Sequence, residues 1–207
     1  MTPCAACCAG ARTEGTVPAS SLFERNCATW ALLPLCSLLV ATALAADSNI
    51  SLAHSTVIAT FRQQDIPVDA SFRTFSGTIV YDAARPEATR ASLVVGMYSL
   101  DIGDEDSSAE VRKPAWFDSA HFPQSSFNST LITPRAAGHF EATGLLTIKG
   151  QARTITVSIA VQHSGRTNVF DGSFELSRRD FGIGDPAWEK VLDDKVRVRF
   201  HLLVPGS

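Results

Sequence analysis

The residues best suited to chemistry in this 207-residue chain are five cysteines, five histidines and one acidic run. Cys4, Cys7, Cys8, Cys27 and Cys36 all lie near the start, and Cys4 and Cys7 have C-x-x-C spacing. A zinc ribbon or a disulfide framework draws its sulfurs from across the folded body, and here neither a second C-x-x-C pair nor a nearby histidine follows. The cysteines read as leader composition. His54, His121, His139, His163 and His201 are scattered, with no pair three or four residues apart. His139 and His201 fall on the polar phase of their segments and read as surface residues. Asp101, Asp104, Glu105 and Asp106 lack the glycine and terminal glutamate of a calcium loop. They precede Arg112-Lys113-Pro114, and this charge order suits a short helix entered at the acids and ended at the proline. No G-x-S-x-G elbow, H-E-x-x-H, P-loop or G-x-G-x-x-G occurs. The periodic apolar faces carry no titratable pair, which favours binding over turnover. The expectation is a non-enzymatic protein with no catalytic residue, no metal and no resident cofactor.

Composition narrows the partners. Hydrophobic residues make up 45% of the chain and charged residues 19%, enough apolar content for a core. The net charge of −3 supplies no basic field for a phosphate backbone, so nucleic acid is excluded as a first reading. From Trp30 to Ala45 the chain is uncharged, and it ends in Ala43-Leu44-Ala45 before polar Asp47, Ser48 and Asn49. This run is too short for a comfortable span and contains Pro34. It reads as a secretory signal peptide over residues 1–45, cleaved after Ala45, with an uncleaved anchor as the alternative. Arg12 and Arg25 are cancelled by Glu14 and Glu24, which fits a true start further in, near Val17 or Leu22. Residues 46–207 then form one cysteine-free domain exported to the periplasm. Asn49-Ile50-Ser51 and Asn128-Ser129-Thr130 match the glycosylation sequon, relevant only in a eukaryotic secretory pathway.

The elements that must position any site alternate with period two. Val57, Ala59 and Phe61 share one phase, as do Leu93, Val95 and Met97. The same holds for Phe140 to Ile148, Ile155 to Val161, and Val196 to Leu202. Segments 72–82, 127–135 and 167–177 complete eight strands, separated by turn signals such as Lys149-Gly150 and Ser164-Gly165. Eight strands with one apolar face each need a shared interior. The predicted fold is all-β: an eight-stranded antiparallel barrel with one short helix between strands 3 and 4. Such an interior is either filled by side chains or holds one small ligand. Ala59, Gly77, Ala142, Gly144 and Gly172 on the inner phase are consistent with both.

Five ordered motifs then carry a family resemblance. Phe72-Arg73-Thr74-Phe75-Ser76-Gly77-Thr78-Ile79-Val80-Tyr81-Asp82 opens the series, followed by Trp116-Phe117-Asp118 with Phe122-Pro123 and Phe127-x-Ser129. Gly144-Leu145-Leu146-Thr147-Ile148-Lys149-Gly150, Leu176-x-Arg178-Arg179-Asp180-Phe181-Gly182-Ile183-Gly184 and Asp194-x-Val196-x-Val198 complete it. Together they resemble the YceI-like family of bacterial periplasmic polyisoprenoid-binding proteins over nearly all of residues 50–204. Gln63-Gln64-Asp65-Ile66-Pro67-Val68 departs from the glycine-containing turn of many members. The resemblance implies a lipocalin-like barrel whose apolar cavity takes a polyisoprenoid or an isoprenoid quinone as ligand. It also suggests kinship with members associated with b-type cytochromes, hence a membrane cytochrome as a candidate partner, and it admits a homodimer.

A prenyl chain gains about 0.8 kcal/mol per buried CH₂, so a dry channel binds it without specific polar contacts. The candidate ligand-binding residues are Phe61, Phe75, Ile79, Val95, Met97, Phe127, Phe140, Leu146, Val157, Ile159, Phe174, Leu176, Val198 and Phe200, with Trp116 closing one end. Arg178-Arg179-Asp180 reads as a group that pins the exit of a strand rather than a head-group contact. Two other functions compete. One is an isomerase or cyclase of an apolar chain, for which Glu175 and Arg178 would be the polar groups to test. The other is a filled barrel serving a membrane redox partner or a stress response.

Overall fold

A computed structural model describes residues 49–206; the leader predicted over 1–45 and all five cysteines lie outside them. Among the described residues, ten antiparallel strands build one curled sheet. They are β1 (Thr56–Gln63), β2 (Ile66–Phe72), β3 (Phe75–Val80), β4 (Arg90–Gly96), β5 (Leu100–Asp101), β6 (Gln124–Pro134), β7 (His139–Ile148), β8 (Gln151–Ser164), β9 (Thr167–Ser177) and β10 (Lys195–Pro205). Their spatial order is β3-β4-β6-β7-β8-β9-β10-β1-β2-β5. The antiparallel, lipocalin-like class is as expected, but the strand count is ten rather than eight. The two additions are β2 and β5. Ile66, Val68, Ala70 and Phe72 do alternate in β2, but Pro67 and the polar stretch before it mask the pattern. Strand β5 is only two residues long. Helix α1 (Glu105–Glu110) is capped by Asp104, whose carboxylate accepts from the backbone N–H of Ser107 at 2.8 Å.

Two-residue turns set the registers. Between β1 and β2, Gln64 and Asp65 both take positive φ (50° and 64°), the backbone of a type I′ hairpin that Asn-Gly usually supplies. Lys149-Gly150 makes the same turn between β7 and β8, with φ of 47° and 72°. In β6 a bulge between Ser129 and Leu131 shifts the phase. Ile132 is therefore buried and Leu131 exposed.

The edge strands β3 and β5 do not pair with each other, so strand pairing alone does not close the curl. The N-terminal segment bridges part of the seam. Asn49 donates its backbone N–H to Gly77 and its Nδ2 to the carbonyl of Ile79 at 2.8 Å, and it accepts from the N–H of Ile79 at 2.9 Å. Two residues on, Ser51 donates to the carbonyl of Leu203 in β10. Ile50 between them is buried in the core.

Inside the curl, apolar residues form two clusters. One gathers Phe75, Ile79, Ile132, Phe140, Val157, Phe170 and Leu202. The other gathers Trp116, Leu146, Ile148, Leu176, Phe181, Ile183 and Leu192, nearer the loops that follow α1 and β9. Among the described residues no helix is long and apolar enough to cross a membrane.

Candidate functional site

The inner faces of the strands enclose a cavity of about 230 Å³. An engineered apolar cavity of about 150 Å³ already stays dry and takes up benzene, so this space accepts a larger apolar group. Of the fifteen predicted liners, thirteen surround it: Phe61, Ile79, Val95, Met97, Trp116, Phe127, Leu146, Val157, Ile159, Phe174, Leu176, Val198 and Phe200. Phe75 and Phe140 do not. Both face inward and are buried, but they pack into the first cluster rather than line the cavity. Phe140 meets Tyr81 edge-on at 6.2 Å, and Tyr81 in turn meets Phe170 at 5.6 Å. This aromatic group covers its end of the curled sheet, with a small void left between the rings and Ile132.

Small residues on the inner phase serve two ends. Over Gly144 lies the ring of Phe127 and over Gly172 that of Phe200, each so close that an added Cβ would collide. The glycines therefore seat aromatic rings and leave no void at those positions. Ala59, by contrast, lines the cavity directly.

The opposite end is built by loops, and three of the sequence motifs converge there. Lys149 donates Nζ to the carbonyls of Pro114 at 2.7 Å and Gly182 at 2.8 Å, tying the segment before Trp116 to the turn after β9. Burial lowers the Lys149 pKa, against the charge of Asp118, which acts to raise it. Gly184 donates its N–H to Ala115, a second tie between the same loops. Trp116 is buried over this end, its Nε1 reaching Glu110 at 3.3 Å and its ring edge-on to Trp188.

Arg178 holds the loop that follows β9. Only 5% exposed, it donates Nε to the carbonyl of Asp193, Nη1 to that of Ile183 at 2.9 Å, and Nη2 to Leu192 and to Glu189 Oε2 at 2.8 Å. Its stem lines the cavity, while its charge is spent on the loop. Gly184 follows from this contact. Its φ is +125°, and a Cβ there would strike the guanidinium. The pinning role predicted for Arg178 is what the geometry shows. Next to it, Arg179 pairs with Glu189 and lies near Asp194. The hydrogen bond from Arg178 lowers the Glu189 pKa; partial burial opposes this, and the charges of both arginines add to it. For Asp194, burial acts to raise the pKa. Hydrogen bonds from Ser177 and the N–H of Arg179, with the charges of Arg179 and Lys195, outweigh it and hold the group below its usual value.

The catalytic alternative loses one of its two residues. Glu175 points outward in β9 and pairs with Arg197 at 2.7 Å on the exposed face. The histidines form no cluster. His201 bonds Asp171 at 2.6 Å and His139 bonds the carbonyl of Ala137. Among the described residues no group of three or more metal-ligating side chains comes together. Sequence reasoning missed Lys149 as a tie between loops and Thr89 as a cavity residue. Lys149 was readable as a motif position, and Thr89 as a backward extension of the Ala91, Leu93, Val95 phase past the start of β4.

Comparison with known proteins places this geometry. A sequence model described as the YceI-like domain matches residues 49–204. The crystal structure of Burkholderia cenocepacia BcnA is 34% identical, with a TM-score of 0.73 over 75% of this chain and 99% of that one. A structure titled as a polyisoprenoid binding domain from Saccharophagus degradans, implicated in plant cell wall breakdown, is 16% identical. It shares the fold with a TM-score of 0.62 over 76% of this chain and 97% of that one. A protein of Shewanella baltica named UPF0312 is 26% identical over 118 residues, which are 54% of this chain and 62% of the relative.

Proposed function

Since the chain belongs to the YceI-like family, we propose that it binds a polyisoprenoid or a similar long apolar lipid in the interior of its sheet and carries it without chemical change. The observation that carries this reading is the cavity itself, walled by inward aromatic and aliphatic side chains from nearly every strand. Many of these side chains, Phe127, Phe174, Val198 and Phe200 among them, are only partly buried although they point inward. Their uncovered area faces the cavity, and covering it with an apolar chain is favourable at about 25 cal/mol per Å². The name of the Saccharophagus domain supports the same ligand class. An isoprenoid quinone has the same tail and belongs to the proposal. With a leader removed after Ala45, the carrier would work in the periplasm.

Native mass spectrometry of protein purified from the periplasm, followed by solvent extraction, tests the proposal. The expected result is an N-terminus at Ala46 and an added mass that extracts as a prenyl lipid. Protein that stays bare after incubation with prenyl lipids overturns it and favours a filled module serving a membrane partner. A variant sharpens the test. Ala91 lines the cavity, so Ala91→Phe should occupy part of it and lower prenyl-lipid uptake by at least about tenfold while the sheet stays folded.

A further inference from the structure

The cavity is elongated along the strands. On β9 its wall runs from Phe170 through Phe174 to Leu176, and on β10 from Leu202 back to Val196. Leu202 lies opposite Phe170 and Val196 opposite Leu176, so these pairs mark its two ends. Beyond the Phe170 end lies a second void of about 20 Å³. Phe170, Ile132, Ile159 and Thr89 border both spaces, and the partition between them is therefore one side chain thick. Tyr81, Phe140 and Val161 close the far side of the void. Phe170 is the bulkiest member of the partition, 4% exposed, with its ring edge-on to Tyr81 at 5.6 Å. A space of about 20 Å³ has room for about one water and none for a prenyl unit.

An apolar cavity of about 150 Å³ takes up one benzene, roughly 25 Å³ per carbon, so about 230 Å³ holds about nine carbons, close to two prenyl units. We infer that Phe170, backed by Ile132 and Ile159, is the stop that sets chain length: the interior covers about two prenyl units at one end of its ligand, and a third gains no buried contact while the ring stands. This rests on the lipid-binding reading and adds to it a limit on how much of the chain is held. The stop does not swing aside as a loop could. Strand β9 is hydrogen-bonded to β8 on one side and β10 on the other across Phe170, and close-packed side chains of such strands have few alternative rotamers. The phenyl ring has six carbons and a prenyl unit five. Phe170→Ala therefore joins the two spaces and opens room for one more unit.

Prenol, geraniol, farnesol and geranylgeraniol, alcohols of one to four prenyl units, are the probes, titrated into wild type, Phe170→Ala and Ile132→Ala. Wild-type affinity should rise at least about tenfold from prenol to geraniol, then change by less than about threefold through the two longer alcohols. In Phe170→Ala the rise should continue one unit further, with farnesol held at least about tenfold more tightly than geraniol. Ile132→Ala removes less of the partition and leaves the Phe170 ring in place, so it carries the test if Phe170→Ala does not fold; there farnesol should gain about threefold over geraniol. A wild-type series that tightens steadily through geranylgeraniol overturns the inference and leaves the lipid reading standing. So does a break that stays after geraniol in the folded variants, or an equal gain at every length. If wild type binds none of the four, the lipid reading falls and takes this inference with it.

Discussion

The two ends of the interior are closed by different physics. At the Tyr81 end, aromatic packing does the closing: Tyr81, just past β3, meets Phe140 of β7 and Phe170 of β9 edge-on. At the Trp116 end the closing elements are loops, and polar groups hold them. One buried guanidinium and one lysine together satisfy five backbone carbonyls. Loops have no ladder to satisfy their backbone, so a buried loop needs side-chain donors where a strand does not. The packed end therefore tolerates changes of shape and suffers from lost volume. For the loop-built end the weak point is a lost donor or a lost charge.

The largest expected effect is at the loop end. Arg178→Met should cost about 3–5 kcal/mol in urea unfolding, because it leaves the buried carbonyls of Ile183, Leu192 and Asp193 without their donor, while Glu189 keeps Arg179. A loss below about 1 kcal/mol would break the contrast between the ends. Leu202, 1% exposed in the packed cluster, should cost about 2–4 kcal/mol as Leu202→Ala by leaving a cavity. Asn49→Ala should cost about 1–2 kcal/mol, and hydrogen exchange should show faster opening at Ile79.

Acid should loosen the loop after β9 relative to the strand core around Phe170 without any substitution. Glu189 and Asp194 have native pKa values below those of the unfolded chain. Their contribution is fully present above the usual carboxylate range and is lost as pH falls through that range towards the lowered native values. Amides of the loop after β9 should therefore exchange faster below about pH 4, while amides of β8 and β9 near Phe170 hold. Equal acceleration in the loop and in the strand core around Phe170 would contradict this. The smallest effect belongs to Glu175→Ala. Its ion pair with Arg197 is more than half exposed, so stability should change by less than about 0.5 kcal/mol and lipid uptake not at all.

Much of the cavity wall is legible in the amino-acid sequence. Period-two alternation fixes which side chains point inward, since a strand has only two faces, and that is how twelve of the thirteen liners could be named, Trp116 coming instead from the segment after the helix. The same logic could not separate Phe75 and Phe140 from the others. Pointing inward is a local property, whereas facing a void depends on what the opposite strands place there. Strand β2 stayed hidden behind Pro67, and the phase change before Ile132 behind a bulge that no residue type announces.

The sequence by itself determined the sheet, its inner face, the short helix and the family, because these follow from periodicity, turn chemistry and ordered motifs. Tertiary structure alone decided how the ends close. The Trp116 segment, the Lys149 turn and the Arg178–Gly184 loop lie far apart in the chain, and only folding sets the lysine between two carbonyls or the guanidinium against a glycine. It also decided that Thr89, a residue of the cavity wall, keeps a buried hydroxyl without a partner. Whether a buried polar group has a partner is fixed by neighbours from other strands and not by its own position in the chain.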